Sequence, residues 1–231
     1  MNLNIIIIFL FLIIIMNSYK INYNKNYINS IQLRGSSDYN YKNQLWIYSN
    51  FFSDKVFTEI KNYCKKLNFK NDKRVTSRKT LCLPFNNHKK LYNLIYNDSK
   101  FKNIISNIYD GKYKNYKIKP SFPIEYRIYP KGSSGMGWHI DTSLFKPDCL
   151  EVVLTIENTS DSKFLWREGF SLKSKNIKPE SNTLAIVTPS TISHSVSSVN
   201  NGYRTILKFI IEHPESIPKQ TYYKEIKNCP I

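Results

Sequence analysis

From Ser121 onward the sequence consists of short runs of β-branched and aromatic residues, separated by turn residues. Runs of this kind predict strands, and their number favours a double-sheet β-sandwich or jelly roll. Helical patterns precede them, so we expect a mostly β (α+β) chain in which helices flank a jelly-roll core. The predicted strands cover residues 122–129, 150–157, 163–167, 183–188, 195–199 and 203–212.

Two helices and one strand are predicted before this region. Apolar residues with helical spacing run from residue 56 to 67, and the segment 50–54 offers N-cap side chains. A second helix is predicted at 98–109, closed by Asp110 and Gly111. The first strand is predicted at 45–48.

The N-terminus carries an uninterrupted apolar run at residues 5–16. A run of this length is too short to span a ~30 Å hydrocarbon core comfortably and matches the apolar region of a signal peptide. We therefore expect a signal peptide or anchor, with the protein in the secretory pathway, in the endoplasmic reticulum or associated with a membrane. Lys20, Lys25 and Arg34 follow the run. An anchor whose domain faces the cytoplasm is the alternative, because positive charge favours that side.

Composition sets the remaining boundaries. After the hydrophobic segment 1–16, the polar, Asn- and Ser-rich residues 17–44 are predicted to be a linker. The folded domain is expected at 45–215 and a C-terminal tail at 216–231. The chain has 231 residues and is 41% hydrophobic, which excludes a disordered chain and suffices for one domain core.

Charge and cysteine content narrow the function. Lysine and arginine exceed the acidic residues and give a net charge of +17, which would attract nucleic acid, anionic lipid or acidic proteins. The lysines are scattered through a chain rich in Asn, Ile and Tyr, so biased composition explains the charge better than a nucleic-acid surface. Four cysteines are too few for a disulfide scaffold. In an exported domain Cys64 and Cys82 are candidates for a disulfide, with buried or free thiols as the equal alternative. Cys149 and Cys229 are likewise read as buried or free thiols.

One segment carries the residues that suggest chemistry. On an extended segment, side chains at i and i+2 point the same way, so His139 and Asp141 would direct an imidazole and a carboxylate to one point. A third ligand must come from elsewhere, and His194 lies near a later predicted strand. Two histidines and one carboxylate occupy one face of an octahedron and leave three positions open, which suits Fe(II) that binds a chelating cosubstrate and O₂.

Arg204 stands ten residues after His194, at the head of an apolar predicted strand. Burying a guanidinium is costly unless it has an anionic partner, and its planar fork suits a carboxylate. A dicarboxylate bound to the metal at one end would bring its other end to Arg204. A three-residue hairpin loop at 200–202 would place Arg204 and His194 on one face, and a two-residue loop would turn Arg204 outward. Both remain open.

These residues resemble the Fe(II)/2-oxoglutarate-dependent dioxygenases, in particular the prolyl 4-hydroxylase-like branch. That pattern has His-x-Asp, a distant His and a basic residue about ten positions beyond it, matched here by His139, Asp141, His194 and Arg204. Tyr129, in Arg-Ile-Tyr-Pro-Lys-Gly, matches a tyrosine of the branch whose hydroxyl helps hold 2-oxoglutarate. The branch usually has Lys where Arg204 stands, and the resemblance spans residues 45–212.

The resemblance implies a double-stranded β-helix (jelly-roll) core and an oxidoreductase. With Fe(II), 2-oxoglutarate and O₂, and with ascorbate as a further implied cofactor, such an enzyme hydroxylates a C–H bond and releases succinate and CO₂. The implied metal ligands and catalytic residues are His139, Asp141 and His194. Arg204 and Tyr129 would bind the cosubstrate. The implied substrate is a prolyl or other residue of a polypeptide, or another exported molecule.

Three alternatives stay open. A nucleic-acid demethylase of the same superfamily fits the charge, but its pattern has two arginines beyond the distal His. A non-catalytic jelly-roll binding protein would not need all four site residues. A zinc hydrolase would use the triad but leave Arg204 unexplained. Near the motif we expect Trp138 and Trp166 in the core, with the substrate cleft as the alternative. Arg127 and Lys208 are expected at a solvated rim, with positive charge near the site as the alternative. His88 is expected at the surface.

Overall fold

The computed structural model describes residues 39–42, 44–68, 70–71, 78–109, 120–169 and 171–230. The signal peptide or anchor predicted for residues 1–16, most of the predicted linker, and the predicted helix stop at 110–111 lie outside the described residues. Within the described part of the chain, no helix is long and apolar enough to cross a membrane.

Strands dominate the described residues, as the sequence predicts. In chain order the elements are β1 (Tyr39–Tyr41), β2 (Leu45–Tyr48), α1 (Asp54–Cys64), β3 (Lys70–Asn71), β4 (Lys79–Leu83), α2 (Phe85–Tyr96), α3 (Ser99–Ile108), β5 (Ile124–Tyr129), β6 (Met136–His139), β7 (Phe145–Lys146), β8 (Leu150–Asn158), β9 (Phe164–Arg167), β10 (Ser174–Ile177), β11 (Leu184–Val187), β12 (His194–Val196), β13 (Arg204–Ile211), β14 (Ile217–Pro218) and α4 (Gln220–Lys227).

The strands form two main antiparallel sheets. The larger has the order β1-β2-β11-β8-β13-β5-β4-β3, and the smaller has the order β10-β9-β12-β6. β7 and β14 form a separate two-stranded sheet. From β5 to β13 the chain passes repeatedly between the two main sheets, which is the connectivity of a jelly roll. The predicted fold class, mostly β with flanking helices, is confirmed.

Successive side chains along each strand of the larger sheet point to opposite faces of the sheet. One face packs on the apolar core. The other face carries charged residues and is called the interior face below. Leu207, Phe209 and Ile211 of β13 join the main hydrophobic cluster, which includes buried residues of all three helices α1–α3. The candidate site lies on the interior face. That face carries the β13 residues at the other alternating positions, Arg204, Ile206 and Lys208.

The predicted helices form with the expected caps. Ser53 accepts a hydrogen bond from the Val56 amide at 3.4 Å, and Asp98 accepts one from the Phe101 amide at 2.9 Å. The first helix ends at Cys64, three residues before the predicted end.

Helix α2 was not predicted, because its first half is polar and masks the apolar face that begins at Leu91. His88 lies in this helix and is half-buried, with its Nδ1 2.8 Å from the Tyr63 hydroxyl. The polar residues around His88 are exposed, and His88 itself is only partly covered by α1.

The predicted hairpin between the strands of His194 and Arg204 is wrong in both forms. β12 pairs with β6 and β9 in the smaller sheet, whereas β13 pairs with β5 and β8 in the larger one. The segment between them crosses from one sheet to the other. Loop length therefore does not set the orientation of Arg204.

The ends of the described chain are more ordered than the sequence indicates. Tyr39 of β1, within the predicted linker, accepts a hydrogen bond from Trp166 Nε1 at 3.0 Å. The predicted tail contains β14 and α4. Cys229 at its end forms a disulfide with Cys82 of β4, with the Cα atoms 5.8 Å apart. The candidate pair Cys64–Cys82 does not form, and the reading of Cys229 as a free thiol was wrong. Cys64 and Cys149 are buried free thiols.

Candidate active site

Strand pairing brings the three predicted metal ligands together. His139 ends β6 and His194 begins β12, and these two residues are direct cross-strand partners. Asp141 lies two residues beyond His139 and so points to the same side. Gly135, just before β6, lies against the backbone of Val196, where any Cβ would collide with the chain. The close approach of the two strands thus depends on a residue without a side chain.

The donor atoms of the triad converge. Asp141 Oδ1 is 3.6 Å from His139 Nε2, and Asp141 Oδ2 is 3.2 Å from His194 Nε2. One ligand atom from each residue can be chosen such that all lie within 4.8 Å of one another. This spacing allows all three side chains to reach a single ion.

Backbone carbonyls orient both imidazoles. His139 Nδ1 is 2.8 Å from the Gly137 carbonyl oxygen, and His194 Nδ1 is 3.2 Å from the Ile192 carbonyl oxygen. A proton on each Nδ1 satisfies these carbonyls and leaves the Nε2 lone pair facing the site, as in metal-binding histidines. His139 Nε2 is buried without a hydrogen-bond partner among the described residues. A metal ion would satisfy this orphaned atom, so the donor set fits one.

The carboxylate of the triad is held ionised. Burial raises the pKa of Asp141, but the contact with His194 and the positive charge of Lys208 outweigh burial and bring the pKa below its usual range. An ionised carboxylate is the form that binds a cation.

Arg204 and Tyr129 lie together on the interior face of the larger sheet. They are direct cross-strand partners, and the Arg204 guanidinium carbon is 4.8 Å from the centre of the Tyr129 ring. Arg204 is 6% exposed, its Nε has no hydrogen-bond acceptor within the described chain, and no described carboxylate pairs with it. Burial lowers the pKa of Arg204, and Tyr129 opposes that shift. A buried cation in this state calls for an anionic ligand.

Positive charge also acts on Tyr129. Burial raises the pKa of the Tyr129 hydroxyl, but Arg127, Arg204 and Arg78 outweigh burial and lower it to about 8. A small cavity of about 20 Å³, room for roughly one water molecule, adjoins this pair and is lined by Arg204, Tyr129, Ser162 and Ser197 among others. The residues that line this cavity offer hydrogen-bond donors and acceptors around the Arg204 guanidinium.

Sequence reasoning did not identify the acidic partners of Arg127 and Lys208. Arg127 forms an ion pair with Glu125, and Lys208 Nζ lies 2.6 Å from Glu151 Oε2. The expectation that Arg127 and Lys208 lie at a solvated rim was wrong, because both side chains are largely buried in the interior. The sequence contained a signal for this arrangement. Glu125, Arg127 and Tyr129 stand at every second position of β5 and so point to one face. Lys208 stands an even number of residues after Arg204 on β13 and so points to the same face as Arg204.

The two tryptophans of the region differ. Trp166 is 3% exposed, which confirms its predicted place in the core. Trp138 is 38% exposed, so its predicted burial was wrong. It lies on β6 between two inward-facing positions and therefore points outward, where the Arg167 guanidinium stacks 4.0 Å from its ring centre.

Comparison with known proteins gives matches only at the level of structure. No protein-family model matches the chain, and no curated protein matches it in sequence. An oxidoreductase of the 2OG-Fe(II) oxygenase family from Burkholderia pseudomallei superposes with a TM-score of 0.59 at 14% identity, over 74% of this chain and 86% of that one.

Two further structures give similar values. A prolyl hydroxylase from Trichoplax adhaerens, solved with a hypoxia inducible factor peptide, has a TM-score of 0.54 at 16% identity, over 74% of this chain and 84% of that one. HygX from Streptomyces hygroscopicus, solved with nickel, 2-oxoglutarate and hygromycin B, has a TM-score of 0.55 at 8% identity over the same shares. The chain therefore has the fold of the 2OG-Fe(II) oxygenases, prolyl hydroxylases among them, as the sequence resemblance implied.

Proposed function

We propose that this protein is an Fe(II)- and 2-oxoglutarate-dependent dioxygenase that hydroxylates a C–H bond. One oxygen atom of O₂ enters the substrate as a hydroxyl, and the other enters succinate as 2-oxoglutarate loses CO₂. The observation that carries the proposal is the pairing of a convergent His-Asp-His set with a buried Arg204 that has no carboxylate partner in the described chain, both within this fold.

His139, Asp141 and His194 would hold the iron. Their carbonyl-bound Nδ1 atoms fix the rings, so the Nε2 atoms need no reorientation when the ion binds. Bound through three protein ligands, Fe(II) supplies open positions for a chelating cosubstrate and for O₂ activation. The protein would keep those positions accessible. Metal binding also requires an ionised carboxylate at Asp141 and neutral imidazoles at the two histidines.

Arg204 and Tyr129 would bind the far carboxylate of 2-oxoglutarate. The guanidinium offers parallel N–H donors, and its free Nε is one of them. The Tyr129 hydroxyl would donate a second hydrogen bond. Because both residues are buried, water competes weakly for the carboxylate, and the cosubstrate is fixed in orientation.

The substrate is proposed to be a polypeptide or another exported molecule. The Cys82–Cys229 disulfide supports an oxidising compartment, because such bonds persist in the secretory pathway and are rare in the cytosol. The proposed location is therefore the endoplasmic reticulum or another part of the secretory system, reached through a signal peptide or membrane anchor at residues 5–16. Ascorbate would serve as an auxiliary reductant there.

Succinate release tests the proposed activity. The purified protein with Fe(II), 2-oxoglutarate and O₂ should release succinate, and replacement of His139, Asp141 or His194 by Ala should abolish release. His88→Ala is the matched control, since His88 lies on α2 outside the site. Full turnover in Asp141→Ala would refute the assignment.

A further inference from the structure

Strand β6 forms one edge of the smaller sheet. It pairs with β12 on one side, and none of the described strands pairs with its other side. An edge strand presents a row of N–H and C=O groups with which another extended chain can pair. Edge strands are commonly protected by charged side chains or proline, but β6 has the sequence Met-Gly-Trp-His. Within the described part of the chain, this edge is therefore open to an added strand.

One side of β6 belongs to the proposed active site. His139 is the last residue of the strand, and Gly137, two positions earlier, faces the same way. A Cβ at Gly137 would meet no atom within 4 Å, so there is free space beside His139. A strand added to this edge would lie about 4.8 Å from β6 and direct every second side chain to this side. The side chain opposite His139 would be about 5 Å from it, Cβ to Cβ, next to the proposed iron ligands.

The other side of β6 carries a row of exposed apolar side chains. Met136 and Trp138 are 39% and 38% exposed, and Ile140, which continues the alternation, is 54% exposed. Contiguous exposed apolar side chains, unlike scattered single ones, mark interaction surfaces. The remaining side chains of an added strand would pack on this row.

A guanidinium without an acidic partner lies over the same row. The Arg167 guanidinium carbon is 4.0 Å from the centre of the Trp138 ring. Arg167 Nε is buried without a hydrogen-bond acceptor among the described residues, and no described carboxylate pairs with this side chain. The adjacent Glu168 instead contacts Lys175 at 2.7 Å. In a protein of net charge +17, this guanidinium beside an open edge favours an acidic partner.

Alternation determines where the acidic group of the partner would stand. If the residue to be hydroxylated lies opposite His139, its two neighbours in sequence lie opposite Trp138 and Ile140 and point to the other side. The neighbour opposite Trp138 lies beside the Arg167 guanidinium. A nucleic acid has no N–H and C=O groups at the spacing of a strand, so the edge favours a polypeptide.

We propose that β6 binds an extended segment of a polypeptide substrate as an added β-strand, with the residue to be hydroxylated opposite His139 and an acidic residue next to it in sequence paired with Arg167. The inference rests on the proposed function and narrows its polypeptide substrate to a class of sequences. Main-chain hydrogen bonds supply affinity, and the contacts with Trp138 and Arg167 supply selectivity.

Peptide-stimulated succinate release tests the class of sequences in the wild-type protein. The probes are pools of peptides of about ten residues, long enough for one strand. Each protein amino acid in turn occupies the centre, with Glu, Gln or Lys at both neighbouring positions. At least one pool flanked by Glu should stimulate release at least about fivefold more than the same pool flanked by Lys, with the pool flanked by Gln between them. The central residue should gain one oxygen atom by mass spectrometry.

Two results of this screen would overturn the proposal. One is equal stimulation by the pools flanked by Glu and by Lys. The other is no stimulation by any peptide pool, and stimulation by methylated single-stranded DNA in that case would assign the site to a nucleic acid.

Charge reversal tests the role of Arg167. Arg167→Glu should reverse the preference, so that the pool flanked by Lys becomes the better substrate, with the KM for 2-oxoglutarate within about twofold of wild type. Lys90→Glu, on the exposed side of α2, is the matched control and should keep the preference for Glu. A preference for Glu that persists in Arg167→Glu would contradict the proposed pairing.

N-methylation of the best peptide tests the pairing of its main chain with β6. On an added strand, every second N–H group faces β6 and the others face away. Methylation of one alternate set should raise the KM for the peptide at least about tenfold, and methylation of the other set should change it by less than about threefold. Equal effects of the two sets would exclude strand addition.

Two further measurements separate the alternatives. A dimer in sedimentation that Trp138→Ala dissociates would assign the edge to a second copy of the chain and overturn the proposal, whereas a monomer supports it. Absence of the visible band of the Fe(II)–2-oxoglutarate complex in the wild-type protein would refute the proposed function itself. A normal band without stimulation by any peptide refutes only the inference about β6.

Discussion

Arg204 and Tyr129 face each other across β13 and β5, with the guanidinium carbon 4.8 Å from the ring centre. This contact places a buried cation beside a phenol and leaves the guanidinium Nε without an acceptor in the described chain. A buried cation is stabilised by an anionic partner, and a cosubstrate carboxylate would be one. The predictions on the cosubstrate depend on this pair.

Replacing Arg204 should weaken 2-oxoglutarate binding. Arg204→Ala leaves a buried carboxylate without its charged partner, which costs about 2–5 kcal/mol and raises the KM for 2-oxoglutarate steeply. Arg204→Lys keeps a positive charge and should be milder. Steady-state kinetics with varied 2-oxoglutarate measures both. An unchanged KM in Arg204→Ala would move the carboxylate site to Arg127 or Lys208.

The affinity for 2-oxoglutarate should depend on pH through Tyr129. Its pKa is lowered to about 8 by Arg127, Arg204 and Arg78 against the effect of burial, so it becomes a phenolate as the pH rises through that value. The phenolate repels the cosubstrate carboxylate and competes for Arg204. The KM for 2-oxoglutarate should therefore rise between about pH 7 and pH 9.

Tyr129→Phe removes the titrating group and serves as the control. Its KM should be higher at neutral pH, because a hydrogen bond is lost, and should vary little across the same interval. A variant with the same pH profile as wild type would show that another group titrates.

Single and paired changes at Lys208 and Glu151 should differ in stability. Lys208→Met alone leaves Glu151 buried without its partner and should cost about 3–5 kcal/mol in the free energy of unfolding. Adding Glu151→Leu should recover most of that loss. Urea denaturation measures both variants. Additive losses would mean that the two side chains are not coupled in the folded protein.

The disulfide should stabilise the domain by joining β4 to the C-terminal segment. Cys82 and Cys229 are separated by 147 residues, so reduction frees a long loop in the unfolded chain and should cost about 2–5 kcal/mol. A reductant should lower the Tm of the wild type. The double variant Cys82→Ser, Cys229→Ser should be insensitive to reductant. Equal Tm values with and without reductant in the wild type would contradict this role.

A glycosylation acceptor placed in residues 17–44 tests the proposed location. In the full chain, an exported domain should acquire glycan, and a domain held in the cytoplasm should not. Absence of glycan, together with succinate release stimulated by methylated single-stranded DNA, would favour the nucleic-acid alternative over an exported substrate.

Some features could be predicted because they depend on local alternation. His139 and Asp141 lie on one side of a single extended segment. Ser53 and Asp98 cap the helices that begin at the next residue, so their role can be predicted from the residues that follow them. Short-range rules of this kind need no knowledge of the partner strand.

Other features depend on which strands become neighbours. The interior position of Lys208 follows from the pairing of β13 with β5 and β8, whose residues are distant in sequence. The disulfide required the docking of the C-terminal segment on β4, which composition alone did not indicate. The crossing of the chain between β12 and β13 likewise replaced the expected hairpin, because the two strands belong to different sheets.

An anaerobic Fe(II) titration in the absence and presence of 2-oxoglutarate tests the central claim most directly. If His139, Asp141 and His194 hold iron while Arg204 orients the cosubstrate, a weak visible charge-transfer band should appear only when both are present. The band should be lost in His139→Ala and retained in His88→Ala. Absence of the band in the wild-type protein, or its persistence in His139→Ala, would contradict the account.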